Sequence, residues 1–112
     1  MRRPWMIGSA NEHTVAAFLL RHEYEVYFPL GTAPCDMIAY REDVGFKRVE
    51  VKAGATSPKA GGERWFAHVP NPEKCDWLFF VSPAGNIIKP ELVWNGRLSE
   101  KYAPLNDPKY FS

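Results

Sequence analysis

The chain lacks the residues that staple small domains. Only two of its 112 residues are cysteine, Cys35 and Cys75, too few for a disulfide framework. Each precedes an aspartate beside an apolar, strand-like run, so both read as buried thiols outside any disulfide. His13, His22 and His68 stand at no ligand spacing from these cysteines, which argues against a zinc site. No run of about 18 apolar residues occurs, so no membrane-spanning helix is expected. The basic start, Met1-Arg2-Arg3-Pro4, is followed by only a short apolar patch and does not read as a signal peptide; the expected location is the cytoplasm. An excess of one charge is missing too. Fourteen Lys and Arg face thirteen Asp and Glu, a net charge of +1, unlike strongly basic nucleic-acid binders. A local basic patch remains compatible with that balance, because a carboxylate-built site lowers the net charge.

The length fits one domain, residues 1–112, with no linker and no internal repeat. Aromatic residues are 14% of the chain, so the core should be rich in rings. Residues 9–22 read as an amphipathic helix, with Ser9 as N-cap and Glu12 three positions on, an S-x-x-E capping box. Val15, Phe18, Leu19 and His22 follow at helical spacing, with Ala16 beside them. Residues 24–28 alternate Tyr24, Val26 and Phe28 against Glu25 and Tyr27, a strand pattern. Residues 36–41 form a second strand, 42–45 a turn, and Phe46 to about Ala53 a third strand. Residues 54–63 are rich in Gly, Ala, Ser and Pro and read as a loop, followed by a short strand from Arg64 to Val69. Asn71 to Lys74 reads as a turn or a single helical turn. Trp77 to Val81 is a continuous apolar run, typical of a buried strand. Ile87-Ile88 starts a short return strand, Pro90 to Trp94 a short helix, and the tail beyond Gly96 is irregular. The expected class is α+β, three-layer-like: a mixed central sheet with an N-terminal helix on one face.

Charged residues converge in this scheme. Along the third strand Phe46, Arg48, Glu50 and Lys52 share one face, because side chains alternate. Counting outward from the 42–45 turn places Asp36 opposite Glu50 or Lys52, so Asp36, Glu50 and Lys52 form a triangle on one face at the hairpin's end. Glu12 lies in line with Val15, Ala16 and Leu19 and points at the sheet. As single residues these have ordinary readings: Glu12 as a capping-box residue, Glu50 and Lys52 as a solvated pair. Together they gather carboxylates that repel one another unless a hard cation sits between them. Mg²⁺ suits such a place, because it takes one or two carboxylates, several waters and substrate phosphate oxygens. Lys52 adds a mobile point charge that holds the attacking water or neutralises a scissile phosphate. The constellation suits phosphodiester hydrolysis.

At these residues the chain resembles the PD-(D/E)XK nuclease superfamily, whose pattern is a helix carrying Glu, an Asp starting a strand, and Glu-x-Lys near the end of the next strand. Glu12, Asp36 and Glu50-Val51-Lys52 stand in those places. The likeness spans roughly residues 8–53 and, more weakly, 77–81. It is nearest to the small single-domain members, intron-associated homing endonucleases and Holliday junction resolvases, through Gly8 to Glu12, Tyr24-Glu25-Val26, Pro29 and Asp36-Met37-Ile38-Ala39. Cys35 precedes Asp36, and Pro34 stands two positions before it, where the namesake motif has an adjacent Pro.

The resemblance implies a restriction-endonuclease-like core and a DNA endonuclease, bacterial, archaeal or phage-encoded. It implies Asp36, Glu50 and the backbone carbonyl of Val51 as ligands of Mg²⁺, with Mn²⁺ able to substitute. Lys52 would position or activate the water, and Glu12 would bind a second metal or orient Lys52. Lys47, Arg48, Lys59 and Arg64 flank the site and are candidate phosphate contacts, or ordinary surface charge. One cleavage centre per chain implies a homodimer or higher oligomer for cutting both strands, with Trp94, Tyr102 and Tyr110 as candidate contacts. The alternative is a catalytically silent nucleic-acid-binding or assembly module on the same fold; an RNA-cleaving relative is a third reading.

Overall fold

The computed structural model describes residues 4–31, 35–56, 65–66, 74–89, 92–93 and 99–112, with the side chains of residues 4, 5, 55, 56, 65, 66 and 99 outside the description. Helix α1 runs from Pro4 to Arg21. It starts five residues before the expected N-cap, because Pro4 supplies a start of its own: its fixed φ suits a first turn, and its missing N–H has no partner there anyway. Ser9 is therefore inside the helix, and Glu12 sits mid-helix. The capping-box reading of Glu12 falls with that.

The helix ends in a paired closure. The Tyr24 N–H donates to the Leu19 carbonyl at 3.0 Å and the Glu23 N–H to the Leu20 carbonyl at 3.0 Å. This is a Schellman arrangement, in which the residue at the reversal adopts a left-handed conformation. Glu23 does so, at φ 69°. Glycine meets that demand without a Cβ clash. We therefore expect Glu23→Gly to raise stability by about 0.5–1 kcal/mol in urea melts.

Four strands form the main sheet in the order β1-β2-β3-β6. They are β1 Glu25–Tyr27, β2 Met37–Arg41, β3 Gly45–Ala53 and β6 Trp77–Val81. The first three are an antiparallel meander, and β6 runs parallel to β3. Ala55–Thr56 (β4) and Trp65–Phe66 (β5) pair as a separate two-stranded piece, so residues 54–63 do not begin as a plain loop. Residues 57–64 lie outside the described residues. A parallel return needs a long connection, which the stretch from Gly54 to Asp76 provides.

Burial follows the alternation. Met37, Ala39, Val49, Trp77, Phe79 and Val81 face α1 and close on Val15, Ala16 and Leu19. On the opposite face Leu78 and Phe80 are covered by Cys75, Ile88 and Val93, with Tyr102 against them. Strand β6 is thus buried on both faces, which explains its unbroken apolar run. Phe28 departs from the expected inward row: it is half exposed and stacks on His13, at 6.0 Å between ring centroids. The return strand at 87–88 is only a bridge from Val81 to Ile87, with the Ile88 N–H on the Phe80 carbonyl. Of the helix expected at 90–94 only Leu92 and Val93 are described, and of the turn at 71–74 only Lys74.

The tail is irregular as expected, apart from a 3-10 turn at Ser99–Lys101, yet it completes the core. Phe111 is buried among Phe18, His22, Tyr24, Trp77 and Phe79, with ring centroids 5.2–6.2 Å away. Arg41 ties this tail down. Its guanidinium donates to the carbonyls of His22 (2.8 Å), Lys109 (2.8 Å) and Tyr110 (3.3 Å), and it lies 4.4 Å from the centroid of the Tyr24 ring. The Tyr24 hydroxyl donates to the Tyr110 carbonyl at 2.9 Å. Tyr110 and Tyr102 are partly buried, packed against the two cores; Trp94 lies outside the described residues. Both cysteines are buried, and no disulfide joins them. Among the described residues no helix is long and apolar enough to cross a membrane.

Candidate functional site

The hairpin sets the site. Met37 pairs with Val49, so one step further out Asp36 comes opposite Glu50. The Asp36 N–H still donates to the Val49 carbonyl at 3.0 Å, but Asp36 precedes β2 rather than belonging to it. Its carboxylate Oδ2 accepts the Val51 N–H at 2.7 Å, taking the place of the next ladder partner. Because ladder bonds lie close to the sheet plane, that oxygen sits at the sheet's edge. Of the triangle expected on one face, Glu50 and Lys52 point to the face away from α1, and Asp36 closes the strand end through the Val51 N–H. Alternation binds residues within a ladder, and Asp36 is already outside it.

Glu12 arrives from the helix side. It lies on the same stripe as Val15, Ala16 and Leu19, and its carboxylate is within hydrogen-bonding reach of Asp36. Burial, the contact with Asp36 and the charge of Asp36 all raise the Glu12 carboxyl above its ordinary value, with Glu50 adding a smaller push. Glu50 is raised as well, by burial and then by Asp36, against the opposing pull of Lys52. Lys52 Nζ is 3.4 Å from Glu50 Oε1. Three acids and one lysine thus crowd the end of the hairpin. Among the described residues, however, no three Asp, Glu, His or Cys side chains form a ready-made metal cage.

A backbone group adds to the set. Within a strand the N–H and C=O of one residue point to the same side. The Val51 N–H is directed at Asp36, so its carbonyl is directed to that side too. Beside Glu12 opens a cleft of about 330 Å³, lined by Ile7, Gly8, Asn11, Glu12, Val51 and Ala53. Asn11 is a buried polar residue on this wall and was not singled out from the sequence. Its place in line with the buried helical stripe was the available signal.

Compared with protein-family models, curated proteins and solved structures, the chain matches none. The residues themselves therefore carry the functional reading.

Of the four flanking cations, the two that are described lie on opposite faces of the sheet. Lys47 lies on the α1 face, with Nζ 5.9 Å from the Trp77 ring centroid, and Arg48 lies on the other. The Arg48 side chain donates to both Asp76 oxygens, at 3.1 and 3.2 Å, while its N–H donates to Oδ2 at 2.8 Å. Lys59 and Arg64 lie outside the described residues. Asp76 was missed in the sequence, although it immediately precedes β6, next to β3.

Arg48 holds the Asp76 carboxyl below its ordinary value. Its folded pKa is therefore below its unfolded one, so the stabilisation is complete above about pH 4 and is lost as pH falls through the folded value. The pair is partly exposed and screened, so we expect wild type to exceed Asp76→Asn by about 1 kcal/mol near neutral pH. The gap should close in acid. Urea melts at the two pH values read it directly.

Proposed function

We propose that the chain is a Mg²⁺-dependent DNA endonuclease of the PD-(D/E)XK type, built on a restriction-endonuclease-like core. The observation that carries the reading is the meeting of Glu12, Asp36 and Glu50 at one strand end, with Lys52 paired to Glu50. The mixed sheet with α1 on one face suits such a core.

The donors present fit a hard divalent cation. Mg²⁺ needs no cage of three side chains; it takes one or two carboxylates and completes its shell with water and phosphate. Asp36, Glu50 and the Val51 carbonyl are such a set; burial first, and then the neighbouring Asp36, raises the carboxyls of Glu12 and Glu50, and a cation offsets both costs. When bound, the ion supplies an acidified water and charge neutralisation at phosphorus. Lys52 Nζ lies beside Glu50 Oε1, where it orients the attacking water or meets the scissile phosphate. Glu12 holds Asp36 from the helix side or contributes to a second cation. Mn²⁺ should substitute for Mg²⁺.

The test is an incubation of the purified chain with supercoiled plasmid, a four-way junction and single-stranded DNA, in Mg²⁺, Mn²⁺ or EDTA. Metal-dependent nicking that stops in EDTA is the expected result. Tight binding without cleavage in either metal would replace the enzyme by a silent binding module, and RNA in the same assay separates the two nucleic acids.

A further inference from the structure

Helix α1 is apolar on two sides, and only one of them is used by the core. Met6, Ala10, His13, Ala17 and Leu20 recur at intervals of four and three residues, the spacing of a helix–helix seam. All five are exposed, Met6 at 51% and Leu20 at 58%. At 3.6 residues per turn this stripe lies almost diametrically opposite Asn11, Val15 and Leu19, which are buried against the sheet. No Asp, Glu, Lys or Arg interrupts it. The His13 Nδ1–H donates to the Ser9 carbonyl at 2.7 Å, and its ring stacks on Phe28, itself 51% exposed, which widens the stripe.

We propose that this stripe is the seam of a homodimer, two copies packing α1 against α1 in antiparallel fashion about a two-fold axis beside His13. The occupant is a second copy because the stripe is nearly its own mirror in sequence order. A large residue stands at each end, alanine stands inside each end, and histidine is central. Reversal sets Met6 near the partner copy's Leu20 position, and Ala10 near its Ala17 position, so that small residues face small ones and the helices approach closely. The seam is about 21 Å long. Met6, Leu20 and Phe28 each stand about half exposed, and a symmetric pair covers each of them twice, toward the ~1,000 Å² at which specific interfaces begin. Glu12 lies on the far side of the helix and is left uncovered. The proposal does not rest on the nuclease reading.

Sedimentation of the full chain across a micromolar range should give twice the chain mass of 12.8 kDa. Ala17→Glu and Leu20→Gln, both at exposed positions, should halve that mass with the circular dichroism spectrum unchanged. Mixed Ala10→Cys and Ala17→Cys chains should cross-link on oxidation, far more than either alone. A wild-type monomer throughout the range overturns the proposal, including one that instead binds anionic-lipid vesicles. A dimer that survives both seam variants also overturns it. Should either variant unfold, the mixed cysteine chains decide: no preferential cross-link means no such seam.

Discussion

Replacing Lys52 by alanine is expected to lower metal-dependent cleavage by about a thousandfold, chiefly in kcat, with little change in substrate KM or thermal stability. The size follows from what a single positioned charge supplies to a transition state, typically a factor of 10²–10³ for a preorganised donor. An interaction made mainly in the transition state appears in kcat and kcat/KM together, whereas a plain phosphate-binding lysine would appear in KM. Stability should hardly move, because the Lys52–Glu50 pair is a partly exposed contact at 3.4 Å. Lys52→Arg should recover only part of the rate, since the broad planar guanidinium does not reproduce a compact ammonium. Steady-state kinetics on a nicked-plasmid or oligonucleotide assay, with a melting curve on each variant, tests all of this. A loss of activity accompanied by unfolding would instead assign Lys52 to the fold.

The largest effect on stability is expected far from that site. Phe111→Ala should cost about 3–4 kcal/mol, the usual range for truncating a buried ring. That is a large share of the 5–15 kcal/mol that holds a domain together. The ring is 8% exposed and meets Phe18, His22, Tyr24, Trp77 and Phe79, so one deletion opens a hole in the centre of the aromatic cluster. The melting temperature should fall by about 15 °C at this size. A fall of only a few degrees would mean that the tail is not part of the cooperative core. Thermal melts of the two proteins in parallel decide it.

These two residues also mark what a sequence can and cannot disclose. The Glu50-x-Lys52 strand was legible because a strand has period two and because the turn at 42–44 fixes where β2 and β3 meet; the paired register ends at Met37 and Val49, which leaves Asp36 just beyond it, beside Glu50 and Val51. The apolar run at 77–81 was legible for a similar reason, being buried on both faces. Phe111 was not. Its neighbours lie up to 93 positions earlier in the chain (111 minus 18), and no local periodicity encodes such a contact. The start of α1 was misplaced because a good capping pattern at Ser9 and Glu12 occurs inside the helix, where the backbone donors already have partners. Glu12 was placed correctly on the sheet side even so, since its alignment with Val15, Ala16 and Leu19 does not depend on where the helix begins. The role of Asp36 at the strand end was not legible from alternation: its carboxylate, and not a neighbouring backbone carbonyl, receives the Val51 N–H.

Whether Asp36 and Glu50 share a divalent ion is the question on which the functional account turns. Crystals of the full chain soaked in Mn²⁺ and measured for anomalous scattering answer it. The account predicts one peak within about 2.1 Å of oxygens of both carboxylates, with the Val51 carbonyl as a third ligand. A well-ordered strand end with both side chains in place and no anomalous peak between them would contradict it.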